Sequence, residues 1–245
     1  MISEQTGTIA VSLLILVTAI SLIYGAERDS RKRSVNPFLF VPIIVIGVVI
    51  NILISSPPIF ILLGVAAFVL SFLRPSSYGY IISGVLMMIG AIIIASLSSY
   101  PIYGFEFFII ALIFMTGFRQ TLFGIGDTKG IISLIFSFTG VNVSLLRGVI
   151  ALDGLIANGV FILFYIVLAS LVFLLAEFIH ISSAFRKFGA TGFRIPYSRD
   201  AESAAGIAFA KRKRGSGEYL VYRVPFLIPV AAGFFLFIIF GSIFI

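Results

Sequence analysis

The chain has 245 residues, 60% of them hydrophobic and 11% charged, with a formal net charge of +7. A soluble domain of this length cannot hide so much apolar surface, so the composition predicts an all-α, multi-pass membrane protein. There is no cysteine and a single histidine, His180, which excludes disulfides, thiol catalysis, Cys-ligated zinc and multi-histidine metal centres.

Thr8 to Ala26 is the first apolar span. Positive charge follows it instead of preceding it, which predicts a retained span with its N-terminus outside, not a cleaved signal peptide. Glu27 to Pro37 then carries Arg28, Arg31, Lys32 and Arg33, a density of cations that places this loop in the cytoplasm. Asp29 lies where the first helix should surface. It is either a counter-ion for Arg28, Arg31 or Arg33, or a functional group. Phe38 to Ile54 crosses outward, Ser55 to Pro58 turns, and Ile59 to Leu73 returns to an inner surface marked by Arg74. Tyr78 to Leu97 crosses outward again. Ser98 to Pro101 and Glu106 form an external loop, and Phe107 to Phe123 crosses inward, its arrival at the cytoplasmic face flanked by Arg119 and Lys129.

That span delivers Phe123-Gly124-Ile125-Gly126-Asp127-Thr128-Lys129-Gly130 to the cytoplasmic face. Glycines let the backbone turn sharply there, and Asp127 opens the next helix. Two readings stand open. Asp127 N-caps that helix, or it is a functional carboxylate at a costly membrane-helix end. Ile131 to Thr139 is short for a span; it is half-length or extends through Val143. Asn142 to Asn158, with Arg147 and Asp153, is an outside connection. Gly159 to Ile179 crosses inward, with Glu177 and His180 three residues apart near its inner end, where they read as an interfacial hydrogen-bonded pair. Ile181 to Tyr222 is a basic cytoplasmic loop; Lys211-Arg212-Lys213-Arg214 followed by Gly215-Ser216-Gly217 reads as flexible chain. Val224 to Ile245 is the last span, entered through Pro225 and Pro229.

The expected architecture is a single membrane-embedded domain, 1–245, of about eight spans with both termini outside and residues 181–222 as its one long loop. On this path 16 of the 17 Lys and Arg residues lie in the cytoplasm, all but Arg147, in line with the positive-inside rule. The cations predict contact with anionic membrane lipid and not with nucleic acid.

The same path brings Asp29 and Asp127 to one face. Two carboxyls close together share one proton over part of the pH range, so one can act as base on water while the other donates to a carbonyl. Such a dyad needs no cysteine, histidine cluster, metal or cofactor.

Gly124-Ile125-Gly126-Asp127-Thr128-Lys129 matches the GxGD-x-K motif of the type IV prepilin peptidase family. Asp29-Ser30-Arg31-Lys32-Arg33-Ser34-Val35 resembles the D-x-R-x-R-x-V/I pattern of its archaeal branch, the preflagellin (prearchaellin) peptidases. Arg223-Val224-Pro225-Phe226-Leu227-Ile228-Pro229 is similar to that branch's entry into its final helix. The resemblance implies that Asp29 and Asp127 are the catalytic pair, and that Gly124, Gly126 and Lys129 belong to the active-site loop. It implies an archaellin or pilin-like precursor as substrate, its short basic leader cut at the cytoplasmic face of the cell membrane. Glu27, Asp200, Glu202 and Glu218 are candidate contacts for leader cations. The family pattern has six spans, two of them between the aspartates, whereas four lie between them here. The cytoplasmic domain with paired cysteines that bacterial methylating relatives carry is missing, so cleavage without methyl transfer is expected. The competing expectations are a proton- or ion-coupled transporter with Asp127 in the coupling site, and a non-enzymatic scaffold that uses the basic loop.

Overall fold

The computed structural model describes residues 4–72, 77–97, 101–118, 125–152, 157–214 and 217–241. The chain is mostly helical. Helix α1 (Glu4–Lys32) runs past the apolar stretch, so the segment expected to be loop from Glu27 is helix as far as Lys32. Glu27 and Arg31 pair at 3.1 Å one turn apart. An exposed pair of this spacing contributes only about 0.3–0.5 kcal/mol, so the extension rests mainly on contacts of Asp29 and Arg33 described below. Asn36 then accepts the Phe38 N–H at 3.1 Å and opens a 3-10 turn, Pro37–Phe40. Helices α2 (Val41–Leu53), α3 (Pro58–Leu70), α4 (Ser77–Leu97), α5 (Ile102–Phe118) and α6 (Ile125–Phe138) follow.

Glu106, expected in an external loop, is instead inside α5 and fully buried. Its Oε1 accepts the Gly159 N–H at 2.8 Å, at the start of α7 (Asn158–Ala184), while its Oε2 is buried without a hydrogen-bond partner among the described residues. The first N–H groups of a helix have no partner within it, and a carboxylate is a favourable one.

α6 is the axis of the bundle. Every residue from Thr128 to Phe138 is buried, against α2, α3, α5, α7 and α9 (Leu227–Phe240). Beyond Lys129 it carries no charged residue, and the hydroxyls of Ser133 and Ser137 donate to backbone carbonyls, which lets it be buried on every side. Its 14 residues span about 21 Å, less than the ~30 Å hydrocarbon thickness of a bilayer. It stops at Gly140, which takes a φ of 70°, the left-handed conformation in which helices commonly end. The carbonyls left over at this buried end are satisfied by side chains. Asn51 Nδ2 donates to Phe136 at 3.1 Å, and Asn158 Nδ2 donates to Phe138 at 2.5 Å and Val141 at 2.6 Å.

The helix does not continue through Val143. Val141–Ser144 (β1) and Val149–Leu152 (β2) form an antiparallel hairpin, with Val141 opposite Leu152. The chain is therefore not purely α-helical. A second sheet lies in the region expected to be flexible. β3 (Arg194–Pro196), β4 (Phe209–Arg214) and β5 (Gly217–Tyr222) form an antiparallel sheet in the order β3-β5-β4, with α8 (Arg199–Ala205) beside it. This module has its own core of Ile181, Ile195, Ala201, Ala205, Phe209 and Leu220. The basic run thus forms an edge strand and is not an unstructured linker.

α1 and α7 are long and apolar enough to cross a membrane. Each shows an exposed apolar stripe at helical spacing: Ile9, Leu13, Leu16 and Ile20 on α1, and Phe164, Leu168, Leu171 and Leu175 on α7.

Candidate active site

Three helix ends meet at one buried leucine. Leu227, the first residue of α9, is fully buried. A methyl group at Gly25 of α1 would stand 3.2 Å from its Cδ1, and one at Gly130 of α6 would stand 3.7 Å from its Cδ2. The two helices thus pack across a single leucyl side chain, tightly at Gly25 and in ordinary van der Waals contact at Gly130. Phe40 fills the remaining flank, 3.1 Å from a methyl group at Gly130.

The direction of the helices then places the aspartates. The hairpin that follows α6 touches the start of α1: Thr8 Oγ1 donates to the Ile150 carbonyl at 3.4 Å. α1 and α6 are therefore antiparallel. Asp29 lies one turn beyond Gly25 on the same face of α1, and Asp127 lies one turn before Gly130 on the same face of α6. Both steps lead away from the hairpin. Asp29 and Asp127 therefore lie toward the same end of the bundle, each one turn from the glycine that borders Leu227.

Asp29 is tied to this junction. Its Oδ2 accepts the backbone N–H of Leu227 at 3.2 Å. The neighbouring cations have other partners: Arg31 has Glu27, and Arg33 Nη2 donates to the Tyr222 hydroxyl at 3.1 Å. Arg33 still acts on Asp29 through space. The counter-ion role is thus shared at most with Arg33.

Asp127 is half-buried in the first turn of α6, where the helix dipole favours a carboxylate. Thr128 and Lys129 behind it are buried. The Lys129 ammonium sits 4.4 Å from the centre of the Phe72 ring, a cation–π contact that makes burial of the charge tolerable. Gly126 lies in the first turn of α6. Gly124 falls outside the described residues, as do Arg74, Arg119 and Asp153.

No protein-family model, curated protein or solved structure matches this chain. The site must therefore be read from its own geometry.

The remaining candidates separate from it. Glu27, Glu202 and Glu218 each have a local partner: Arg31 at 3.1 Å, the Tyr197 hydroxyl at 2.9 Å and Lys211 at 2.9 Å. Asp200 lies in the first turn of α8. Glu177 acts on the Tyr222 hydroxyl, a contact between α7 and the sheet module in place of the expected pair with His180. Burial pushes the Tyr222 hydroxyl up from its ordinary value, with Arg33 opposing. It stays protonated near neutrality and can accept from Arg33 while donating to Glu177.

Sequence reasoning missed Leu227, Tyr222 and the buried Glu106. Leu227 lies in the Pro-rich entry to α9, Tyr222 closes the stretch expected to be loop, and Glu106 was expected in an external loop. No metal cluster of His, Cys, Asp and Glu occurs among the described residues.

Proposed function

We propose that this chain is a membrane aspartic endopeptidase that removes the short basic leader of archaellin or type IV pilin-like precursors at the cytoplasmic membrane face. What supports this reading is the junction at Leu227, which borders Gly25 and Gly130 and binds Asp29, so that Asp29 and Asp127 each lie one turn from it toward the same end of an antiparallel helix pair. The likeness of the Asp127 and Asp29 motifs to the type IV prepilin peptidases, archaeal branch, supports the same reading.

The chemistry follows from two carboxyls that share one proton. The ionised aspartate takes a proton from water, and the water oxygen bonds to the scissile carbonyl carbon. The protonated aspartate gives its proton to the carbonyl oxygen. Collapse of the resulting diol breaks the C–N bond, and the proton held by the first aspartate passes to the leaving nitrogen. The products are a leader carboxylate and a new amino terminus. A junction at the water boundary suits this reaction. Water reaches the bond there, and the unwound substrate backbone is not left unpaired in lipid, where each group costs several kcal/mol.

In this reading α1 to α7 and α9 are eight membrane segments, with both termini outside. The cations of Arg28 to Arg33 and of the sheet module lie at the aspartate end, and Arg147 lies in the hairpin at the other, a polarity that supports a cytoplasmic aspartate end. From Thr128 to Phe138 every residue of α6 is buried in the bundle, so its short length there exposes no backbone to lipid. Glu106 holds the start of α7 through Oε1, while its Oε2 is buried without a hydrogen-bond partner among the described residues.

The test is to incubate membranes containing the chain with a precursor that bears a short basic leader, and to sequence the product. A single new amino terminus at the start of the precursor's hydrophobic helix is expected. An uncut precursor, together with Asp127-dependent ion flux in proteoliposomes, would replace this reading with transport.

A further inference from the structure

The residue that follows the last turn of α1 stands in an unfavourable conformation. Arg33 has a φ of 53°, a left-handed conformation in which a Cβ is disfavoured and which glycine usually supplies at helix ends. Its backbone N–H donates to the Asp29 carbonyl at 2.9 Å, closing the helix on that residue. A glycine would do this with less strain, so the side chain is what the arginine adds. Nη2 donates to the Tyr222 hydroxyl at 3.1 Å, and the guanidinium carbon lies 5.1 Å from the Tyr222 ring centre. Nε and Nη1 are buried without a hydrogen-bond partner among the described residues, a further cost that the Tyr222 contact must offset.

Tyr222 is itself fixed. It stacks on Phe193 at 6.1 Å and meets Phe209 edge-on at 5.3 Å. Its backbone N–H donates to the Phe193 carbonyl at 2.9 Å. It is the last residue of β5, and Leu227, which donates to Asp29, is the first of α9. The connection between them is therefore fastened to the final turn of α1 at both ends, once through Arg33 and once through Asp29.

We propose that Arg33 and Tyr222 form a clamp through which the cytoplasmic sheet module positions Asp29. They are positioning residues that do not touch substrate. The module thereby holds one of the two aspartates at its working depth, and the contact is the path by which displacement of the module would reach the site. The effect on cleavage rests on the peptidase reading; the mechanical tie does not.

The full chain lacks cysteine, so spin labels can be placed cleanly at the exposed positions Lys32→Cys and Arg212→Cys. Distances are measured in lipid nanodiscs by pulsed electron resonance, alongside kcat and KM for leader cleavage. One narrow distance distribution is expected in the otherwise wild-type chain. Tyr222→Phe keeps the ring and loses the acceptor; it should broaden the distribution and lower kcat about tenfold, the weight of one charge-assisted hydrogen bond, with KM unchanged. Arg33→Gly suits the backbone and should not lower thermal stability, yet should show the same broadening and kcat loss. Arg33→Lys, which keeps a cation over the ring, should recover part of both. A narrow distribution with unchanged kcat in both Tyr222→Phe and Arg33→Gly overturns the clamp. If the wild-type chain cleaves nothing, the peptidase reading fails, and the distance measurement alone still decides the clamp, with broadening in its favour and an unchanged distribution against it.

Discussion

Leu227→Ala removes three carbons from the point where α1, α6 and α9 meet. Leucine-to-alanine changes in protein cores cost about 2–5 kcal/mol, and the cost rises when neighbours cannot move in to fill the space. Gly25 and Gly130, which flank Leu227, have no side chains to offer, and Phe40 already contacts Gly130 closely. The loss should therefore fall in the upper half of that range, about 3–5 kcal/mol. The variant keeps the Leu227 backbone N–H, so the hydrogen bond to Asp29 can persist. Any loss of activity then reports the spacing of the two helices. Unfolding in detergent gives the stability change, and the rate of precursor cleavage gives the second readout. Leu227→Met, close to volume-conserving, should cost less than about 1.5 kcal/mol and keep most of the rate. If Leu227→Ala unfolded like the wild-type chain and cleaved at the same rate, Leu227 would not be the spacer that sets the aspartates, and the geometric argument would fail.

Two further substitutions test the support of the axis helix. Asn158→Leu leaves the buried carbonyls of Phe138 and Val141 without their side-chain donor; each such group costs about 1–3 kcal/mol, and a lowered unfolding midpoint in detergent is the readout. Glu106→Gln keeps an acceptor for the Gly159 N–H and should stay near wild-type stability, whereas Glu106→Leu strands that donor and should unfold at clearly lower temperature. Equal midpoints for the two Glu106 variants would show that the contact seen at 2.8 Å does not stabilise the fold.

The helices were largely legible because apolar runs and turn residues report local chemistry. Thr8 to Ala26 and Gly159 to Ile179 lie inside α1 and α7, and Ile131 to Thr139 stood out as short. What sets its length could not be read locally: Asn51 and Asn158 are distant in sequence and act only after folding. Glu106 was misplaced for a related reason. A lone carboxylate reads as surface until its partner, the start of α7, is known. The sheet module was missed because Lys211 to Arg214 reads as a solvated charge run. The alternation that makes a strand there is clearer in Tyr219, Leu220, Val221 and Tyr222, whose inward partner Leu220 joins the module core. At the site, Asp29 and Asp127 stand out by residue type and position. Leu227 and Arg33 do not, because a spacer and a strained helix end are properties of packing and backbone, not of composition.

The central claim is that Asp29 and Asp127 act together on one peptide bond. Asp29→Asn and Asp127→Asn each keep the shape of the side chain and remove its ability to share a proton. Cleavage of a precursor with a short basic leader should vanish in both variants, while both still insert in the membrane in wild-type amounts. Normal cleavage by either one would contradict the account.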